Sequence, residues 1–216
     1  VTSAAPGDGK TTVACNLAIA LAQTGQKVCL VESDLRRPRV MEYLQLAAGP
    51  GLTEVLAGQL NLENALQSWG RGMLSVLPPG AIPPNPSEIL GSHQMAQVVA
   101  SLKSSFDMVI LDTPPLLAVS DASVLASQTD GAVVVVRYGK SSRDSVRNAV
   151  GALEQINAKV LGTVLNAVPV KRGGGYGYGF GYGYGYVSDS KGKSKNTVQA
   201  PDESAVAPTS SGSSGA

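Results

Sequence analysis

A glycine-rich turn that runs straight into an apolar helix, Ser3-Ala4-Ala5-Pro6-Gly7-Asp8-Gly9-Lys10-Thr11-Thr12, constrains this chain more than any other stretch. Gly7 and Gly9 let the backbone curl so that successive N–H groups converge on anionic oxygens. Lys10 is placed to reach β/γ-phosphates and the Thr11 hydroxyl to ligate Mg²⁺, while the helix beginning near Thr11 adds the positive end of its dipole. Against the pattern G-x-x-x-x-G-K-[ST], the departure is Ala4 in place of the first glycine. That change is tolerable because only the later glycines must approach phosphate closely. Pro6, Gly7, Asp8, Gly9, Lys10, Thr11 and Thr12 are therefore the candidate nucleotide cradle.

Beyond the cradle the chain alternates helices and strands. Small and apolar residues from Thr11 to Thr24, closed by Gly25, read as a helix with a glycine cap. Lys27 to Val31 reads as a buried parallel strand that delivers Glu32-Ser33-Asp34 at its carboxyl end, where such sheets bind ligands. Weakly amphipathic short helices extend through Gln67, Trp69 reads as packing or a loop anchor, and Leu74 to Leu77 as a short strand. After a proline-rich loop, Asn85 with Pro86 and Glu88 marks a helix start, and one helix is expected from there to Ser104. His93, the only histidine, is read as a surface or interface residue rather than a catalytic one. Phe106 to Leu111 is a second buried strand ending in an acid, Asp112. Gly131 to Val136 gives another strand, Ser141 to Asn157 a helix, and Val160 to Leu165 a last strand ending in Asn166. The expected fold is α/β, a P-loop NTPase-like, mostly parallel sheet with helices on both faces.

Residues 1–170 are expected to form this domain, with its first strand mostly missing because the sequence begins immediately before the cradle. From Gly173 a Gly/Tyr run, then Lys/Ser and Pro/Ala/Ser/Gly stretches, cannot bury enough apolar surface to offset chain entropy, so 171–216 are expected to be a disordered tail. With 17 basic and 16 acidic residues, bulk charge favours neither nucleic acid nor an anionic membrane. Cys15 and Cys29 fall in apolar runs and read as buried small hydrophobes, suited to a reducing compartment. No apolar run approaches the ~18 residues of a membrane span.

Phosphoryl transfer needs a cradle, a metal held by hydroxyl and carboxylate, and a group that orients or deprotonates the nucleophile. Thr11 supplies the hydroxyl, Asp112 sits where the metal-holding acid belongs, and Glu32 or Asp34 reaches the same rim. Together the cradle TSAAPGDGKTT, the run VCLVESDLRRP, the segment PPGAIPPNPSEIL and the strand end MVILDTPP resemble the bacterial tyrosine kinases. These are the kinase modules of exopolysaccharide and capsule chain-length regulators, a branch of the deviant P-loop ATPases.

The resemblance covers roughly residues 1 to 170. It implies an ATP- and Mg²⁺-dependent enzyme at the cytoplasmic face of the inner membrane, autophosphorylating a carboxyl-terminal tyrosine cluster in trans within a homo-oligomeric ring. It also implies a membrane-anchored chain-length or activator segment, and an Arg-rich oligomerisation helix upstream of Val1, both outside this sequence. Carried over, Lys10 and the Gly7 to Thr12 backbone bind phosphates, Thr11 and Asp112 hold Mg²⁺, and Asn166 contacts adenine. The strand-end acids form a second acidic motif, in which Glu32-Ser33-Asp34 replaces the family's Asp-x-Asp. The base is Asp34 or Glu32, with Asp34 favoured.

Tyr176, Tyr178, Tyr182, Tyr184 and Tyr186, spaced by glycines, are the candidate phosphoacceptors, able to enter a neighbour's cleft one phenol at a time. The alternative is a partition-type ATPase acting as a nucleotide-gated dimer switch. A lysine near the start of the cradle would mark that class, and Ala4-Ala5-Pro6 has none. A third reading makes the tail an RNA- or self-association segment, but no basic residue lies between Gly173 and Val187, so no nucleic-acid partner is expected.

Overall fold

The computed structural model describes residues 1–169; the tyrosine cluster and the proposed tail lie outside the described residues. In chain order the elements are β1 (Thr2–Ser3), α1 (Lys10–Gln23), β2 (Val28–Glu32), α2 (Val40–Leu44), α3 (Leu52–Leu56), α4 (Leu62–Ala65), β3 (Gln67–Trp69) and β4 (Leu74–Leu77). The second half comprises α5 (Pro86–Leu90), α6 (His93–Ser105), β5 (Met108–Asp112), α7 (Asp121–Ala126), β6 (Ala132–Arg137), α8 (Arg143–Gln155) and β7 (Val160–Asn166).

Two ladders, β3-β4-β2-β5 and β1-β6-β7, make up the sheet. The two-residue β1 joins them. Beyond its parallel pairing with β6, the Val1 nitrogen donates to Leu111 O at 2.7 Å, and Val1 O and Ser3 O accept from Thr113 N and Leu116 N. The cradle therefore leaves the sheet between β5 and β6.

Strict alternation explains why β2 lies at the centre. Val28 and Leu30 point into a core shared with Ala14, Ala18 and Ile19 of α1, while Cys29 and Val31 point into the opposite core with Met95, Val99 and Leu102 of α6. A strand buried on both faces has no polar position until it leaves the sheet, and Glu32 is where it does so. A third cluster packs Val134 of β6 against Ala149 and Leu153 of α8. Both cysteines are buried and free. Burial pushes the Cys29 thiol up to about 12 and the Cys15 thiol up as well, so they behave as apolar side chains.

One expectation needs correction. The single helix from Asn85 to Ser104 is two, α5 and α6, because the Ser92 side chain accepts from Met95 N and starts a new helix after Gly91. The sheet is mostly parallel, as expected, and at one edge the three-residue β3 runs antiparallel to β4. It places Trp69 in the core with Nε1 donating to Leu44 O at 3.1 Å, the anchoring role expected of that residue. Helices cover both faces, α1 on one and α6 on the other, while the edge strand β7 leaves Leu161, Val164 and Leu165 exposed. His93 is exposed at the first position of α6, as expected of a surface residue.

Candidate active site

Sheet register alone brings the acids together. β2 and β5 are parallel neighbours with Glu32 opposite Asp112, and Ser33 N donates to Asp112 O at 2.9 Å. The cradle arches over these strand ends. Gly9, at φ 91°, is the residue before α1 and gives that helix no side-chain cap, and the first turn carries no acid. Its first N–H groups and the positive end of the dipole are thus left without a side-chain cap. The left-handed backbone at Gly9 is what demands glycine at this position, and a Cβ there would also displace the Asn166 side chain.

Lys10 Nζ lies 3.0 Å from Asp34 Oδ2, in a pair whose side chains are 15% and 3% exposed. Asp34 Oδ1 accepts from Arg37 N at 3.0 Å, which fixes the carboxylate at the mouth of the turn after β2. Glu32 is held differently. Its Oε2 accepts from the backbone N–H groups of Arg39 at 2.7 Å and Val40 at 2.5 Å, while Oε1 is buried without a partner. Burial, with Asp112 beside it, raises its pKa to about 8.

Asp112 is fully buried and neither carboxylate oxygen has a hydrogen-bond partner. Its pKa rises to about 6 through burial, against the opposing pull of the Lys10 cation and the Thr11 hydroxyl, which sits near without closing a hydrogen bond. A buried carboxylate left bare costs free energy unless something binds it. Orphaned oxygens facing a threonine hydroxyl at a helix N-terminus fit a hard, oxygen-seeking cation such as Mg²⁺. Among the described residues no group of three or more His, Cys, Asp or Glu is placed to hold a metal ion.

Asp8, expected in the cradle, turns its side chain away from it. Its carboxylate accepts from Ala5 N at 3.2 Å and from Ser141 Oγ at 2.9 Å, which leaves only its backbone for phosphate. Arg137 Nη1 donates to Gly7 O at 2.7 Å and Asn166 Nδ2 to Asp8 O at 2.9 Å, while Asn166 Oδ1 accepts from Ala167 N. The loop is thus braced from the ends of β6 and β7. Pro6 and Gly7 are exposed, and Thr11 and Thr12 half-buried, on the open side. A larger cleft of about 470 Å³ lies at the other end of the sheet, beside Gly25, Gly72 and Phe106, with Lys27 as its one titratable residue. It offers no comparable chemistry.

Sequence reasoning missed the braces Arg137 and Ser141, and it missed the partner of the Arg36 guanidinium. That guanidinium pairs bidentately with Asp121, Nε to Oδ2 at 2.8 Å and Nη2 to Oδ1 at 3.1 Å, tying the loop after β2 to α7. Ser87 Oγ also donates to Asp121. Burial would raise the Asp121 carboxyl, but the Arg36 and Ser87 contacts hold it below its usual range. Replacing Arg36 with Ala is expected to cost about 1–2 kcal/mol in urea unfolding, less than for a fully enclosed pair because the Arg36 side chain is 41% exposed. Adding Asp121→Asn should recover part of that loss; a single variant as stable as wild type removes the pair from the account.

Comparison with known proteins gives a consistent result. Residues 2–165 match the family described as AAA domain. The chain is 43% identical to the tyrosine-protein kinase YwqD of Bacillus subtilis over 166 residues, 77% of this chain and 70% of that protein. It is 38% identical to the tyrosine-protein kinase etk of Escherichia coli K12 over 80% of this chain, but spans only 24% of that longer protein. The solved kinase domain of Escherichia coli ETK superposes with a TM-score of 0.76 at 37% identity, covering 83% of this chain and 70% of that one. A loop–helix cradle over paired strand-end acids, in a chain with these relatives, leads to one assignment: the chain belongs to the bacterial tyrosine kinases, a branch of the deviant P-loop ATPases.

Proposed function

We propose that this domain transfers the γ-phosphoryl group of ATP to the tail tyrosines Tyr176, Tyr178, Tyr182, Tyr184 and Tyr186 of its own kind, in trans within a homo-oligomer. The observation that carries this is the bare, buried Asp112 carboxylate facing Lys10 and Thr11 at the mouth of the cradle. Backbone N–H groups from Gly7 to Thr12 and the Lys10 ammonium receive phosphate oxygens, and Asn166, with one amide hydrogen beyond its bond to Asp8 O, reaches adenine. Thr11 and Asp112 hold Mg²⁺, which when bound neutralises charge on the β- and γ-phosphates. Lys10 must then exchange its contact with Asp34 for the phosphates. That exchange frees an Asp34 oxygen to accept the phenolic proton of the incoming tyrosine.

Glu32 is the weaker candidate base. Two backbone N–H groups occupy one of its oxygens, and its raised pKa keeps it protonated near neutral pH. It serves better as the anchor that shapes the turn after β2. Asp34→Asn is therefore expected to slow transfer by about 10²–10⁴-fold, and Glu32→Gln by clearly less; the reverse order would move the base to Glu32.

The partition-type reading predicts phosphate released to water only. The fold alone does not separate the two, because the septum site-determining protein MinD of Pyrococcus horikoshii, solved with Mg-ADP, superposes with a TM-score of 0.65 at 28% identity. Incubation with Mg-ATP and then mass spectrometry of the tail does. Phosphate on these tyrosines supports the kinase, and hydrolysis without it the switch. No helix among the described residues is long and apolar enough to cross a membrane. The membrane-anchored partner, the site at the inner membrane and the role in exopolysaccharide or capsule chain-length control belong to the same proposal.

A further inference from the structure

Exposed apolar side chains are not scattered over this domain. Among the described residues, five of the eight large ones, Tyr138, Leu161, Val164, Leu165 and Val168, lie on or beside β7. Leu161 and Leu165 are 57% and 56% exposed. β7 pairs with β6 on one side and has no ladder partner on the other among the described residues. From Val160 to Val168 the sequence has no charge and no proline, the devices that normally keep an open edge from pairing. An edge this apolar and unguarded is built to be covered.

The chain supplies a matching strand shortly afterwards. From Gly175 to Tyr186 glycine alternates with an aromatic residue without interruption: Tyr176, Tyr178, Phe180, Tyr182, Tyr184 and Tyr186. Period two is the repeat of a β-strand, and it would put all six rings on one face and bare glycine on the other. The run is uncharged, like the edge. The eight residues from 167 to 174 are enough for a reversal and too few for a parallel crossover, which needs a dozen or more.

We infer that the Gly/Tyr run adds to the open edge of β7 as an antiparallel strand, laying its aromatic face over Leu161 and Leu165. Docking deepens the kinase reading, on which its consequence rests: a docked tyrosine is withheld from a neighbour's active site. Each phosphate adds about −1.5 to −2 charges, which an uncharged apolar edge cannot accommodate. Modified tails are therefore released and unmodified ones retained, so phosphorylation becomes progressively easier once the first site reacts.

Hydrogen exchange by mass spectrometry on the intact, unphosphorylated chain, without nucleotide, tests the docking separately from catalysis. Changing Tyr176, Tyr178, Phe180, Tyr182, Tyr184 and Tyr186 to Ser should speed exchange across 160–168 roughly tenfold and leave β2 and β5 unchanged. Leu165→Lys, at a position the fold does not bury, should do the same with the aromatic run intact. Equal β7 exchange in all three chains overturns the inference. So does protection that survives loss of the aromatics, which assigns the edge to another segment, or protection that disappears on dilution, which assigns it to a second copy. A protected edge in a protein that leaves its tyrosines unphosphorylated would refute the kinase reading and keep the docking.

Discussion

Replacing Lys10 with Met should reduce tail phosphorylation by roughly 10³-fold or more. Removing one preorganised donor from a site of developing negative charge typically costs 10²–10³-fold, and here the lost group is a full cation whose proposed partners are β- and γ-phosphate oxygens. The Met side chain fills the same space without the charge. The loss should exceed that of Lys10→Arg, which keeps a charge but presents a planar fork in place of a compact ammonium. Because Lys10 also pairs with Asp34 at 3.0 Å, the substitution removes that contact too, and a melting curve must accompany the assay. Counting phosphates per chain by intact mass in a variant that still melts cooperatively gives the decision. Wild-type phosphate numbers in such a protein would mean that the cradle is not the phosphate site.

The same residue illustrates what was legible in the sequence. Gly7, Gly9, Lys10 and Thr11 are contiguous, so their joint geometry is encoded locally, and the strands ending at Glu32 and Asp112 announce themselves as unbroken apolar runs closed by an acid. Buried parallel strands leave no other pattern, and the register that sets Glu32 beside Asp112 arises from their adjacency. The break between α5 and α6 was hidden because Ser92 caps a helix with the same chemistry it would show on a solvent face. The three residues of β3 and the six of α7 are too short for a periodic signal.

Least legible were the contacts that hold the loop and its surroundings in place. Arg36 and Asp121 are 85 residues apart, Ser141 and Asp8 133, Arg137 and Gly7 130. Only tertiary folding makes such pairs neighbours. Asp8 is the instructive case: its position in the motif suggested a part in the cradle, yet its side chain braces the loop from behind and only its backbone faces the cleft.

Asp112→Asn should separate function from stability. The Asp112 carboxylate is fully buried, has no hydrogen-bond partner and has a pKa raised to about 6 from the usual value near 4. A carboxyl whose folded pKa is raised stabilises the fold only while protonated. Its contribution is complete below the unfolded pKa and is lost as pH rises through about 6. Above that, the fold carries a buried charge at a cost of roughly 2–3 kcal/mol, since each pKa unit is about 1.4 kcal/mol. The isosteric amide removes that cost. Metal-free Asp112→Asn should therefore match wild type near pH 4.5 and melt several degrees higher at pH 8, at about 2–4 °C per kcal/mol for a chain of this size. Its loss also lowers the strain on Glu32, whose own pKa is raised in part by Asp112.

Activity should move the other way. On the proposed roles, the amide withdraws the carboxylate from Mg²⁺, so the extra stabilisation that Mg²⁺ adds to nucleotide-bound wild type should vanish, and tail phosphorylation should fall by about 10²–10³-fold. Differential scanning fluorimetry at the two pH values, with ATP and with ATP plus Mg²⁺, reads both effects in one protein. A variant less stable than wild type at pH 8 would show that Asp112 is an internal structural partner, and one that kept the Mg²⁺-dependent shift would place the metal on another residue.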